Sequence, residues 1–464
     1  MKKLLTAAII TATLSGCVAV IDEREEVTVK NVESQNPKNI IMIVGDGMGP
    51  AYTTAYRYYS DNPNTKEIEE TVFDRHLIGM ASTYPARVSG FVTDSAAGAT
   101  ALATGHKSYN GAISVDVDKQ PLETVLHRAR KLGLKTGVAV TSQVNHATPA
   151  SYLTHNEARR NYDAIADSYI DNGIQADVIL GGGWKYFIRE DRNLVNEFKE
   201  NGFQYVDTYE ALSSLNKNQP TLGLFADVGL PWALDDTDNH RLLALTKAAT
   251  SQLENKNGYF LHLEASQVDW AGHANDVASA MWEMDDLAKT MEYLETYVQN
   301  NPDTLVVLTA DHSTGGFTIA ANGVYEWNPE VLRTMKMSPD AISKHFIDND
   351  VTVKAASKLL NFEVTEEEVQ KIQQAKYEGS EELAAYYQLS DEEKKKKWKP
   401  NLERIISKSI KKIIDARTNT GWTSSGHTAV DVPVFAFGPK SKNFSGNIDN
   451  TDVAKEIFKI LEKK

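Results

Sequence analysis

Six apolar, largely β-branched runs punctuate the chain: NIIMIVG, KTGVAVTSQ, DVILGGG, GYFLHLEAS, DTLVVLTADHS and DVPVFAFGP. They are too continuous to keep one face in water, and so suit strands buried on both faces of a mostly parallel sheet. Helical stretches lie between them, such as the amphipathic segment from Ala274 to Val298, and supply the crossovers. The alternation predicts a three-layer α/β/α sandwich around a large, mostly parallel central sheet. In open sheets of this kind ligands collect beyond the carboxyl ends of the strands. Chemistry is therefore expected in the few residues that follow each run.

At 464 residues the chain exceeds most single domains, which fits one core carrying an insertion. The core is expected over residues 39–318 and 421–464. Between them, residues 319–420 carry no long apolar strand, are dominated by Glu and Lys, and read as a helical, lid-like insertion. Its KKKKWKP run reads first as a solvated face. Residues 1–17 have two lysines, a short apolar run and a small-residue exit, the three parts of an export signal. Leu14, Ser15, Gly16 and Cys17 resemble the bacterial lipobox, which predicts a lipid anchor on Cys17, a polar tether over 18–38, and a periplasmic or cell-surface location. The alternative is ordinary cleavage that discards Cys17. Because Cys17 is the single cysteine, no disulfide forms in either case.

The 49 basic and 63 acidic residues leave a net charge of -14, which disfavours nucleic acid as a partner. An acidic protein that handles anions must build its own positive site, and bound metal ions do so.

The strand ends are rich in suitable groups. Asp46 follows the first run among Gly45, Gly47 and Gly49, which permit a sharp turn and an open carboxylate. In VTDSAAGATALATG, Asp94 and Ser95 precede a small-residue helix; Ser95 is placed as a nucleophile at its N-terminus, or one of the pair is simply its cap. His146, Thr148 and Arg159 follow KTGVAVTSQ, with Arg160 adjacent. Glu264, Asp269 and His273 close another run, the last two one helical turn apart. Asp311-His312 ends a very apolar strand, where ionisable groups are costly unless a metal or partner compensates. With His427 they form a mixed oxygen and nitrogen donor set suited to zinc.

The ordered series GDGMG, TDSAAGATA, HATPA with a downstream arginine, EASQVDWAGH, ADHSTGG and SGHT resembles the alkaline phosphatase family. The resemblance implies two zinc ions and one magnesium ion. Asp269, His273 and His427 would hold the first zinc, and Asp46, Asp311 and His312 the second. Asp46 would also reach the magnesium, completed by Thr148 and Glu264. Ser95 would form a covalent phosphoserine while Arg159 clamps the phosphate of a broad range of small phosphate monoesters, in a homodimer. His146 and Trp270 depart from the best-known enterobacterial form, which has Asp and Lys there; a His/Trp pair is familiar from marine bacterial members. They are expected beside the third metal. A phosphodiesterase or phosphonate hydrolase of the same superfamily is the nearest rival reading, and a catalytically silent metal-binding lipoprotein the more distant one.

Overall fold

The computed structural model describes residues 35–217 and 219–463. The signal segment, Cys17 and nearly all of the tether therefore lie outside the described residues.

Strands, in chain order, are β1 Asn39–Gly45, β2 Leu77–Ser82, β3 Lys135–Gln143, β4 Val178–Gly182, β5 Gln204–Val206, β6 Thr221–Leu224, β7 Tyr259–Ala265, β8 Thr304–Thr309, β9 Ser313–Thr314, β10 Phe317–Ile319, β11 Thr420–Trp422, β12 His427–Thr428, β13 Val432–Phe437 and β14 Gly446–Asp449. Ten of them form one sheet in the order β14-β2-β13-β8-β1-β7-β3-β4-β6-β5. Within it only β13 runs antiparallel to its neighbours, β2 and β8. The centre is buried on both faces, as the runs NIIMIVG, YFLHLEA and TLVVLT require. With helices packed around a large, mostly parallel sheet, the fold is the α/β/α sandwich expected from the sequence.

β8, β1, β7 and β3 are consecutive neighbours, so their carboxyl ends open onto one place. Asp46 follows β1, with its N–H donated to Ala265 O at 3.2 Å. Gly47 has φ +72°, and a Cβ there would lie 2.7 Å from Asp269 Cα. A side chain would thus push two ligand-bearing segments apart. The helix Ser95–Thr104 lies across the same end. Its Gly98 permits the approach, since a Cβ would stand 3.0 Å from Asp311 Cβ.

The amphipathic segment expected over Ala274 to Val298 is realised as a helix over Val277–Asn300. It starts later because Asn275, in the left-handed conformation, ends the preceding helix Gln267–Ala274, and Asp276 caps the new one. Between β10 and β11 lie six helices and no strand of the sheet. β10 pairs antiparallel with β11, which brings the two ends of this segment together. Its last helix, Leu402–Thr418, buries Ile406, Ile410, Ile413 and Ile414 on one face, while Arg404, Lys408 and Lys412 are exposed. Among the described residues no helix is long and apolar enough to cross a membrane.

Candidate active site

Ser95 is the first residue of its helix and is 1% exposed. Asp94 is the cap: its Oδ1 accepts from the Ala97 N–H at 3.0 Å. Capping by Asp94 leaves the Ser95 hydroxyl free, and its Oγ lies 3.1 Å from His312 Nε2. Of the two residues of this dipeptide, it is Asp94 that takes the capping role.

Around Ser95, three groups of carboxylates and imidazoles hold ligand-type atoms within 4.8 Å of one another: Asp269, His273 and His427; Asp46, Asp311 and His312; and Asp46, His146 and Glu264. The first is built on the helix Gln267–Ala274, where the spacing of four puts Asp269 and His273 on one face. His427 joins them through the short ladder between β12 and β9. Asp311 and His312 follow β8, and the Gly47 N–H donates to Asp311 Oδ1 at 3.2 Å. Glu264 lies within β7, and Thr148 in the helix Ala147–Leu153 after β3.

The donor set fits cations. His273 Nδ1 is 2.6 Å from Ser425 O and His427 Nδ1 is 2.8 Å from Thr93 O. Each carbonyl takes an Nδ1–H, which leaves both Nε2 lone pairs facing each other at 3.0 Å. Two acceptors repel at that distance unless something positive joins them. Both Asp46 carboxylate oxygens, Asp311 Oδ2, Glu264 Oε1 and Thr148 Oγ1 are buried without a hydrogen bond. Leaving so many acceptors unsatisfied is costly in the protein alone.

The electrostatics say the same. Burial, then the carboxylates of Asp311, Asp269 and Glu264, push the Asp46 carboxyl well above the usual range. Burial pushes Glu264 up to about 7. Burial also resists charge on His312, but the Asp311 carboxylate outweighs it and raises the imidazole, so a proton gathers where a cation would serve. His427 is pushed down to about 4 by burial and by His312.

Arg159 closes one side. Its Nη1 donates to Asp94 Oδ2 at 3.0 Å and its Nη2 to His146 Nε2 at 3.3 Å. Arg160, by contrast, is exposed. Trp270 meets His146 edge-on, with ring centroids 6.0 Å apart. All twelve residues singled out from the sequence therefore surround or adjoin one centre. Sequence reasoning missed two partners. Asp94 holds Arg159, and Thr314 links two ligand groups, donating to Asp269 Oδ1 at 2.5 Å while standing 3.2 Å from His312 Nδ1. The only signal was position, since both sit inside motifs already noted.

A buried serine at a helix N-terminus, ringed by three groups of residues that could hold a cation at the carboxyl ends of a parallel sheet, is the arrangement of a metal-dependent hydrolase. The sequence profile of the alkaline phosphatase family matches residues 37–463, and the chain belongs to that family of phosphoric monoester hydrolases. It is 41% identical to alkaline phosphatase 3 of Bacillus subtilis, over 99% of this chain and 97% of that one. The crystal structure of a cold-active alkaline phosphatase from a psychrophilic Shewanella is 50% identical, superposes with a TM-score of 0.83, and is matched over 91% of this chain and 99% of its own. A TAB5 alkaline phosphatase with a histidine replaced by glutamate, described with magnesium in its third metal site, is 26% identical with a TM-score of 0.65, covering 93% and 99%.

Proposed function

We propose that the chain hydrolyses a broad range of phosphate monoesters through a covalent phosphoserine at Ser95, using two zinc ions and one magnesium ion. The observation that carries this reading is the buried Ser95 hydroxyl, 3.1 Å from His312 and bordered by three groups of ligand-type atoms. Asp269, His273 and His427, and separately Asp46, Asp311 and His312, mix oxygen and nitrogen donors and suit zinc. Asp46, Glu264 and Thr148 offer oxygen, which suits magnesium. Bound there, the cations supply Lewis acidity and positive charge, which favour an ionised hydroxyl and offset the phosphate's charge.

The remaining steps belong to the chain's own residues. Ser95 Oγ, having lost its proton, forms a bond to phosphorus as the ester oxygen leaves with its electron pair and takes up a proton. Water then cleaves the phosphoserine, releasing phosphate and restoring the hydroxyl. The Arg159 guanidinium, anchored by Asp94, offers donors to the non-bridging oxygens, and the N–H groups of the first helical turn face the same charge. His146 and Trp270 border the magnesium group.

The test is to quench the enzyme with radiolabelled substrate at acid pH and map the label, with zinc and magnesium measured on the same sample. Label on Ser95 supports the reading; label elsewhere overturns it. A faster rate on an aryl diester or phosphonate than on an aryl monoester would favour the rival activity.

The Leu14–Cys17 sequence supports a lipid anchor and a periplasmic or cell-surface location. Retention of Cys17→Ser in the membrane fraction, fully processed, would rule the anchor out. Family membership supports a homodimer, which sedimentation of the mature chain measures.

A further inference from the structure

A cleft of about 1310 Å³ opens directly off the catalytic centre, since His273 and Trp270 form part of its wall. The opposite wall is the helix Leu402–Thr418, and the rim carries Trp398 and Lys399 from the KKKKWKP run. Neither Ser95 nor Arg159, the residues proposed to meet the phosphate, lines this space.

The helical wall has a definite charge pattern. Arg404, Lys408 and Lys412 recur every four residues, which places them on one face, and all three line the cleft. They are exposed and, among the described residues, have no acidic partner. The neighbouring cation Lys411 is already engaged, 2.9 Å from Asp340 Oδ1. Of the acids along the same cleft, Asp340 is answered by Lys411 and Asp415 Oδ1 accepts from Trp422 Nε1 at 3.1 Å, so that Glu403 and Asp415 are the two acids left to oppose the row. A local positive stripe on a chain of net charge -14 draws anions to this wall of the cleft. Trp398 is 98% exposed, an unusual state for an indole, and offers a free π-face beside the cations.

We infer that this cleft is a subsite for the leaving group, and that it selects phosphomonoesters whose leaving group carries further phosphates and an aromatic base, as nucleoside di- and triphosphates do. Arg404, Lys408 and Lys412 meet the remaining phosphates, and Trp398 stacks on the base. The inference rests on the phosphomonoesterase reading above. It adds a preference to an enzyme proposed to hold its substrates chiefly by the transferred phosphate.

The experiment compares kcat/KM for ATP and for 4-nitrophenyl phosphate at fixed free magnesium. The proteins are the parent, the triple variant Arg404→Gln/Lys408→Gln/Lys412→Gln, Trp398→Ala, and a control neutralising Lys66, Lys185 and Lys354, none of which lines the cleft. The triple variant is expected to lose about five- to tenfold on ATP and less than about twofold on the aryl ester, with a weaker salt dependence for ATP. The control should leave the ratio of the two rates unchanged. Binding of ADP to Ser95→Ala protein, followed by calorimetry, should weaken in parallel when the three cations are removed. Equal losses on both substrates, no loss on ATP, or the same loss in the control would overturn the subsite. So would salt-sensitive binding of a single-stranded oligonucleotide through these residues with the ATP preference untouched. If the parent cleaves neither ester, it is the phosphatase reading that fails, and the two failures are thus distinct.

Discussion

Arg159 Nη1 donates to Asp94 Oδ2 at 3.0 Å, while Oδ1 of the same carboxylate accepts the N–H groups of Ala97 and Gly111, both at 3.0 Å. One side chain therefore caps the helix that begins at Ser95 and holds the cation that faces it. These duties separate on mutation. Asp94→Asn keeps an acceptor for the cap but loses the charge, so KM for an aryl phosphate should rise several-fold with melting temperature nearly unchanged. Asp94→Ala loses both, adding a stability cost of about 1 kcal/mol. Identical melting temperatures for the two variants would show that the cap contributes nothing.

Ser95→Ala should abolish the phosphoenzyme and lower kcat by roughly a thousandfold or more, because the nucleophile and its partners act as a unit. Zinc content should stay near the parent's, since Ser95 belongs to none of the three ligand groups. Metal analysis beside acid-quench labelling separates the two effects. A phosphorylated Ala variant would contradict the role given to Ser95.

Much of this was legible in the sequence for a physical reason. All six apolar runs became strands of the main sheet, and the polar residues after the central ones converge because neighbouring parallel strands end together. The strands β2, β5, β6 and β14 were not legible. LIGMAS, QYV and GNID are only partly buried, and TLGL is four residues long, so none carries a long hydrophobic signal. Nor does DVPVFAFGP reveal that β13 runs against its neighbours, because side-chain pattern carries no strand direction. Asp94 and Thr314 escaped notice as partners because their contacts join residues 65 and 45 positions apart. A short motif records neither.

Metal removal should invert the pH dependence of stability. Burial raises folded Glu264 from 4.5 to about 7, so the folded state keeps a proton that the unfolded state has released. Its contribution is fully present below pH 4.5 and is lost as pH rises towards 7. Metal-stripped protein should thus melt at progressively lower temperature across that window, and Glu264→Gln should flatten part of the slope. With zinc and magnesium restored the trend should reverse, since deprotonated ligands bind cations more tightly. Thermal melts at half-unit pH steps, with and without chelator, measure both slopes. A slope in the stripped protein that Glu264→Gln leaves intact would mean that Glu264 does not titrate there.

His146 offers the last test, because it contributes position without charge. Burial, then Arg159, push its imidazole down to about 3, so it is neutral at working pH. The Arg159 Nη2 donor 3.3 Å away makes Nε2 an acceptor. A ring nitrogen nevertheless stands within 4.8 Å of the Asp46 and Glu264 oxygens, which places the side chain beside the proposed magnesium group. Replacing it with Asp adds a negative charge near a hard divalent cation, so magnesium should bind more tightly and phosphate should leave more slowly. Trp270, edge-on to His146, shares this surrounding, so the double change His146→Asp/Trp270→Lys gives the fuller effect. The expected outcome is a several-fold lower magnesium concentration for half-maximal reactivation of stripped protein, with reduced turnover once saturated. Half-reactivation at the parent's concentration or above would place His146 away from that cation and leave its contact with Arg159 as its whole role.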